Sequence, residues 1–194
     1  MIDLEERGLL SRSEAKAVLE RRERFELGLA QQKPGKAEFL RYIVYELKLE
    51  RIRSGRQKKQ EHAKRGPGDY FCVRHAYALY ERALARFPED LDLWLEYIGY
   101  AKRTRAPKMV GRLFARAVQV HATSPLLWVR AAQWESAEQG NARGARRMLQ
   151  RGLRFCQKDA GLWNQYLHFE LRYLDQLRRR RDTLQVRAMD GDAD

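Results

Sequence analysis

Three tryptophans recur at almost constant spacing, and this periodicity constrains the fold more than any other feature of the sequence. Trp94, Trp128 and Trp163 lie 34 and 35 residues apart. A second block begins 14 residues before each of them, at Tyr80, Phe114 and Leu149. A period of about 34 residues is typical of a helix hairpin that buries its apolar face only by stacking on its neighbours. The sequence therefore predicts an all-α, right-handed α-solenoid of helix-hairpin repeats.

The aromatic residues of these frames are predicted to form the repeat core, because they recur at helical spacing. The segment from Phe39 to Glu46 repeats the same frame, with aromatic residues at its first, fourth and seventh positions followed by Glu, so Phe39 is a fourth first-helix anchor. The predicted core residues are Phe39, Tyr42, Tyr80, Trp94, Tyr97, Phe114, Trp128, Trp134, Leu149, Trp163, Tyr166 and Phe169.

Three regions follow from this pattern: an N-terminal helical segment over 1–35, the repeat solenoid over 36–188 and an acidic tail over 189–194. Ser11 and Glu14 have the spacing of a capping box, which predicts a helix over 11–30. Further helices are predicted from residue 36 and over 70–86, 91–103, 107–121, 125–138, 142–156 and 160–187.

Two departures from the period are informative. The first repeat unit is about 20 residues too long, which places a basic insertion at 50–69. The last helix has no second helix after it, so its apolar residues should be covered by a further repeat, another chain or the rest of a longer protein. Those residues are Leu167, Leu171 and Leu174.

The chain carries a formal net charge of +13, which favours a polyanionic partner such as RNA. Three basic runs stand out, over 51–65, 102–116 and 178–181, and the second has six basic residues and no acidic one. A charge run is often only a solvated face, but three runs on one scaffold favour contact with phosphates without base reading. The candidate RNA or phosphate contacts are Arg51, Arg53, Arg56, Lys58, Lys59, Lys64 and Arg65 in the insertion, and Arg178, Arg179, Arg180 and Arg181 near the end.

Catalysis is not expected, because the sequence lacks a phosphate-binding glycine loop, a nucleophile elbow and metal-ligand spacing among its four histidines. No cofactor, metal or small-molecule substrate is predicted. Cys72 and Cys156 are expected to be small buried residues in a reducing compartment. The sequence offers no stretch apolar enough for a membrane span or a secretory signal, so a soluble protein without a membrane partner is expected.

An arginine recurs in each second-helix block, as Arg82, Arg116 and Arg151. Each first-helix frame except that of Trp94 carries a glutamate at its eighth position. We therefore hypothesise that these arginines form bridges between helices. The candidate acceptors are Glu46, Glu135 and Glu170.

The combination of Trp, an aromatic residue three positions later and an aromatic–Glu pair after that resembles the half-a-tetratricopeptide (HAT) repeat. The resemblance is incomplete, because Tyr77 and Gly111 stand where the motif has Arg and Ala101 stands where it has Glu. HAT repeats are found in large RNA-processing assemblies, where they act as protein scaffolds.

The segment Leu4 to Ser11, the helix beginning at Glu14, the frame at Phe39 and the basic insertion resemble the N-terminal region of the U3 small nucleolar RNA-associated protein 6 family. The resemblance implies a nucleolar scaffold of the small-subunit processome that supports pre-rRNA processing and 18S rRNA maturation. Its partners would be other processome proteins and U3 snoRNA or pre-rRNA, directly or indirectly. Two alternatives remain: a HAT scaffold of mRNA splicing or 3′-end processing, and a tetratricopeptide-like adaptor for peptides.

Overall fold

The computed structural model describes residues 2–31, 33–59 and 66–191. The chain is 83% helical, and these residues contain no strand, which confirms the all-α class. Lys64 and Arg65 of the predicted contacts, and Asp192 to Asp194 of the tail, lie outside the described residues. The chain divides into two compact units, Met1–Ala106 and Pro107–Asp194, which are described separately.

The helices agree with the predicted segments to within a few residues, apart from an additional short helix at the N-terminus. They are α1 (Ile2–Glu6), α2 (Arg12–Leu29), α3 (Lys36–Lys59), α4 (Phe71–Arg86), α5 (Leu91–Arg103), α6 (Pro107–Val120), α7 (Pro125–Gln133), α8 (Ala142–Phe155) and α9 (Ala160–Gly191). A 3₁₀ turn, Pro67–Tyr70, precedes α4. The first half of the basic insertion is a continuation of α3, because it contains no proline and the helix tolerates the single glycine, Gly55.

The predicted capping box at the start of α2 is present. The Glu14 amide donates to Ser11 Oγ at 3.2 Å, and the Ser11 amide donates to Glu14 Oε2 at 2.8 Å. These two bonds satisfy backbone groups that the first helical turn leaves without partners.

In the first unit, the predicted aromatic anchors form the core between α2, α3, α4 and α5. The rings of Tyr80 and Tyr97 stack with centroids 4.8 Å apart, and Phe25 stacks on Tyr42 at 4.7 Å. Trp94 is buried, and its indole nitrogen donates to the Pro88 carbonyl at 2.8 Å. Buried indole groups need such a partner, so the loop before α5 is fixed to the core. Phe39 is also buried, as predicted for the fourth anchor.

In the second unit, Trp128 has the same role between α7 and α8. It is 1% exposed, and its indole nitrogen donates to the Ala122 carbonyl at 2.8 Å. A Cβ atom added to Gly152 would lie 2.6 Å from Trp128 Cγ, so only a glycine allows α8 to approach this ring so closely. Phe114, Trp134 and Leu149 are also buried, and the Phe114 and Trp134 rings lie with centroids 5.9 Å apart.

The prediction that Trp163 belongs to the core was wrong. Trp163 is 51% exposed, although its indole nitrogen still donates to the Gln157 carbonyl at 2.9 Å. Tyr166 and Phe169 are only partly buried. The physical reason is that no helix of the described residues covers this face of α9. The apolar residues expected to need a cover, Leu167, Leu171 and Leu174, are accordingly about half exposed.

A π-helical turn, Trp134–Glu138, ends the α7 segment. Its bond from the Gln139 amide to the Trp134 carbonyl spans five residues instead of four. A π turn accommodates one additional residue. This accounts for the spacing between the first-helix tryptophan and the next second-helix block, which is 20 residues after Trp94 and 21 after Trp128.

Candidate nucleic-acid interface

The predicted phosphate contacts fall into two groups, one in each unit. Arg51, Lys58 and Lys59 are exposed on the last turns of α3. The second group is exposed on α9 and consists of Arg178, Arg179, Arg180 and Arg181. Exposed guanidinium and ammonium groups are available to neutralise phosphates.

Arg53 is not such a group, and its prediction as a phosphate contact requires correction. The residue is only 5% exposed. Its guanidinium donates to both carboxylate oxygens of Glu50, at 2.9 and 2.7 Å, and to Asp69 Oδ1 at 2.9 Å. Helical spacing places Arg53 three residues after Glu50 on the inner face of α3, so the side chain joins an internal ion network instead of facing solvent.

Arg56 is also committed to an internal contact. Its guanidinium donates to the two Glu14 oxygens at 2.7 and 2.6 Å and to the Leu9 carbonyl at 3.0 Å. The bidentate geometry fixes the end of α3 against the start of α2. Of the insertion's described basic residues, Arg51, Lys58 and Lys59 are therefore the stronger candidates for phosphate contact.

Asp69 is the acceptor at the centre of the network that closes the insertion. It is 6% exposed and accepts from Arg7 at 2.8 Å, from Arg53 at 2.9 Å and from the Gly66 amide at 3.0 Å. Burial by itself raises the pKa of Asp69, but the hydrogen bonds from Arg7, Gly66 and Gln57 outweigh it and lower the pKa to about 2. The network ties α1 and the turn before α4 to α3.

The Asp69→Asn variant is expected to be destabilised at neutral pH. The folded pKa lies below the ordinary value of 3.8. Asp69 therefore contributes stability that is complete above about pH 5 and is lost as pH falls through about 2. The shift corresponds to about 2 kcal/mol. Urea unfolding followed by circular dichroism at pH 7 and at pH 3 should show the deficit shrinking as pH falls.

Glu23→Gln is the matched control, because Glu23 is exposed on α2 of the same unit. It should change the free energy of unfolding by less than about 0.5 kcal/mol. A deficit of Asp69→Asn that does not depend on pH would contradict the assignment of the ionised carboxylate as the network's acceptor.

Two arginine–glutamate pairs share a spacing of 24 residues. Arg22 donates to the two Glu46 oxygens at 2.7 and 2.6 Å, and Arg146 donates to those of Glu170 at 2.7 and 2.5 Å. The first pair is buried, with Glu46 0% exposed, whereas the second is partly exposed. Each pair joins the second helix of one hairpin to the first helix of the next hairpin. By this criterion α2 is the second helix of a hairpin that precedes the frame at Phe39.

Glu46 and Glu170, two of the acceptors proposed for Arg82 and Arg151, are therefore bound by other arginines; Arg82 does bridge two helices, but with a different acceptor. Arg82 instead donates to Glu26 at 2.9 and 3.0 Å. The Arg151 guanidinium lies over the Trp128 ring, 5.8 Å from its centroid. Arg146, five residues before Arg151, binds Glu170 instead, because its position on α8 faces α9. The repeated interval of 24 residues was the signal that identifies the pairs.

The two intermediate frames replace this ion pair by aromatic packing, as the departures from the motif suggest. Tyr77 packs against Tyr97 and Tyr100, with centroids 5.8 and 5.2 Å apart, and its hydroxyl bonds to Thr104. In the second unit, a Cβ atom on Gly111 would lie 3.2 Å from the Trp134 ring. Glu135 Oε2 accepts a hydrogen bond from the side-chain amide of Asn141 at 2.7 Å.

Cys72 and His75, two side chains of types that can take part in catalysis, both have contacts inside the first unit. Cys72 is 1% exposed, and burial raises the pKa of its thiol to about 11, which disfavours the reactive thiolate. His75 bonds to the Tyr42 hydroxyl at 2.7 Å. No group of three potential metal ligands occurs among the described residues. None of the helices in the described part of the chain is sufficiently long and apolar to span a membrane.

Stacked helix hairpins, aromatic anchors fixed by indole hydrogen bonds and the Arg–Glu pairs define a HAT-repeat protein. Residues 76–189 match the family model of the pre-mRNA-splicing factor Syf1/CNRKL1 N-terminal HAT repeat. Residues 1–75 match the model of U3 small nucleolar RNA-associated protein 6. The chain belongs to the U3 small nucleolar RNA-associated protein 6 family.

Curated relatives match almost the whole chain. The mouse U3 small nucleolar RNA-associated protein 6 homolog is 30% identical over 98% of this chain and 32% of its own length. The Schizosaccharomyces pombe protein is 35% identical over 90% of the chain and 36% of its length. The Dictyostelium discoideum homolog is 33% identical over 88% and 28%. The chain thus spans about a third of the length of the curated relatives it matches.

Proposed function

We propose that the chain is part of a non-catalytic scaffold subunit of the small-subunit processome. In this role it supports pre-rRNA processing and 18S rRNA maturation in the nucleolus. Its stacked helices dock other processome proteins, and its exposed cations contact phosphates of U3 snoRNA or pre-rRNA. The names of the relatives associate them with U3 small nucleolar RNA, which supports this proposal.

The observation that carries the proposal is the match over residues 1–75. This region contains what a generic HAT array does not require: α1, the capped helix α2 and the extension of α3 that Arg56 fixes to Glu14. A splicing scaffold remains the second candidate, because residues 76–189 match the splicing-factor HAT model. That match covers only the repeats, whose helical pattern is common to both functions.

Purification of the tagged protein from cells, followed by sequencing of the bound RNA, separates the two candidates. We expect enrichment of U3 small nucleolar RNA over spliceosomal small nuclear RNAs, together with processome proteins. Enrichment of spliceosomal RNAs instead would assign the chain to splicing. A tagged variant carrying Glu46→Ala, which disrupts the first unit, controls for RNA that adheres to the tag.

Direct phosphate contact makes a second prediction. Replacing Arg51, Lys58 and Lys59 by Ala should weaken RNA binding and make its salt dependence less steep. On single-stranded RNA each lost phosphate contact reduces the slope of log K against log salt by about 0.7, so three lost contacts reduce it by about 2. Arg53 and Arg56 are left intact, because their loss would disturb the fold. The measurement is a salt titration of binding by fluorescence anisotropy.

The matched control replaces Lys16, Arg41 and Arg86, which are also exposed cations of the first unit. This control variant loses the same net charge, but its slope of log K against log salt should stay steeper than that of the variant at Arg51, Lys58 and Lys59. Equal losses in both triple variants would show that RNA binding follows net charge alone and would remove the assignment to the end of α3.

A further inference from the structure

A groove in the first unit is lined by several cations, some of which lie outside the basic insertion. It lies between α3, α4 and the C-terminal end of α5 and has a volume of about 1090 Å³. Its wall is formed by apolar and aromatic side chains, among them Leu47, Val73, Tyr77 and Tyr100. A concave surface of this kind is a preferred site for ligands.

Most cations of the groove are not neutralised by acidic side chains among the described residues. The two acidic groups that line it, Glu50 and Asp69, are both bound by Arg53. The other four lining cations are exposed, and none forms an ion pair within the part of the chain that the structure describes: Lys48, Arg51, Arg103 and Arg105. A cleft lined by one sign of charge concentrates ligands of the opposite sign.

Arg105 occupies a position that favours glycine. It follows α5 with a φ of 54°, the only positive φ of a non-glycine residue among those described. The Arg105 amide bonds to the Lys102 carbonyl and the Ala106 amide to the Ala101 carbonyl, which is the Schellman pattern that glycine usually closes. In the second unit, Gly140 takes this place with a φ of 63°. An exposed arginine at a strained backbone position is a candidate for a functional side chain.

Two tyrosines supply the remaining features of a nucleic-acid site. Tyr70, at the end of the 3₁₀ turn, lines the groove with 52% of its surface exposed. Its ring is available for stacking. The Tyr100 hydroxyl is buried and has no hydrogen-bond partner among the described residues. Single-stranded RNA is bound by this combination of a basic groove and an exposed aromatic ring.

We propose that this groove binds single-stranded RNA, with phosphates on Arg51, Arg103 and Arg105 and a base stacked on Tyr70. The inference rests on the RNA contact in the proposed function and gives that contact a site. Three of the four cations are arginines, whose forked guanidinium matches phosphate oxygens. An acidic peptide would match the charges but would not need the exposed Tyr70 ring.

Arg105→Gly gives a sharp test, because folding and binding should change in opposite directions. The variant relieves the left-handed backbone, so we expect Tm to rise by about 2–4 °C. We also expect affinity for a fluorescein-labelled 12-nucleotide oligouridylate to fall by about 3–10-fold. Tyr70→Ala should weaken binding by at least about 5-fold, and Tyr70→Phe should retain it. Arg41→Ala, outside the groove, should remain within about 2-fold of the unsubstituted chain.

The possible outcomes separate this inference from the proposed function. If the chain binds oligouridylate and both Arg105→Gly and Tyr70→Ala bind as tightly, the groove is not the site, although RNA contact elsewhere stands. If the unsubstituted chain does not bind oligouridylate even at low salt, the RNA contact itself is wrong. If a glutamate-rich peptide displaces the RNA and binds with equal affinity to Tyr70→Ala, the groove is a peptide site, which overturns the inference.

Discussion

Replacing Glu46 with alanine is expected to lower the free energy of unfolding by about 3–5 kcal/mol. Glu46 is completely buried and binds Arg22 through two short hydrogen bonds. Removing the carboxylate leaves the Arg22 guanidinium charged inside the first unit, with the Phe71 ring and Cys72 as its remaining neighbours. Neither replaces an anion. Urea unfolding at neutral pH, followed by circular dichroism, measures the loss.

Glu170→Ala is the matched control, since it breaks the pair with the same spacing in the second unit. Arg146 and Glu170 are 36% and 25% exposed at their side chains, so water stabilises the arginine that remains. We expect a loss of about 1 kcal/mol or less. The double variant Arg22→Met, Glu46→Leu should recover most of the stability that Glu46→Ala loses. Similar losses for Glu46→Ala and Glu170→Ala would contradict the role assigned to burial.

Replacing Trp128 with alanine is expected to cost about 3–5 kcal/mol of unfolding free energy. The ring is 1% exposed and fills the space against Gly152, where a Cβ atom would lie only 2.6 Å from Cγ. Its removal leaves a cavity that α8 can close only by moving its backbone. It also removes the indole bond to Ala122. Thermal and urea unfolding both report the change.

Trp163→Ala provides the comparison, because Trp163 has the same place in the repeat pattern and the same indole bond to a carbonyl six residues earlier. It is half exposed, however, so its replacement should cost only about 1 kcal/mol, mainly from the lost hydrogen bond. If the two variants are destabilised equally in this chain, the exposed face of α9 is covered by something, such as a second copy.

The repeat pattern predicted the fold well because the aromatic residues carry both the period and the packing. Phe39 could be placed as an anchor, and Ser11 with Glu14 as a helix start, because each depends on spacing within one segment. Burial of Trp163 could not be predicted from that pattern. It depends on whether another helix lies against α9, and the local sequence is the same in either case.

The candidate site was predicted less well, because the sequence does not show whether a basic side chain faces water or an acidic side chain. Arg53 lies in a run of cations, yet the turn before α4 brings Asp69, sixteen residues later, into contact with it. No helical spacing reveals that contact. Arg105 lies in the basic run predicted over 102–116, but it was not singled out as a contact, for a different reason. Its significance is a backbone angle, and the only sequence signal was Gly140 at a similar place in the next frame.

Two helix pairs are joined by Arg–Glu pairs, whereas the two intermediate frames use aromatic contacts, so the hairpins are not interchangeable. A helix bearing an arginine like Arg22 requires a partner with a glutamate, whereas α4 presents Tyr77 to a helix with Ala101 at that position. A chimera that placed α2 before α5 would bury a guanidinium opposite a methyl group. Within each unit, complementary contacts therefore specify which helix can pack against which.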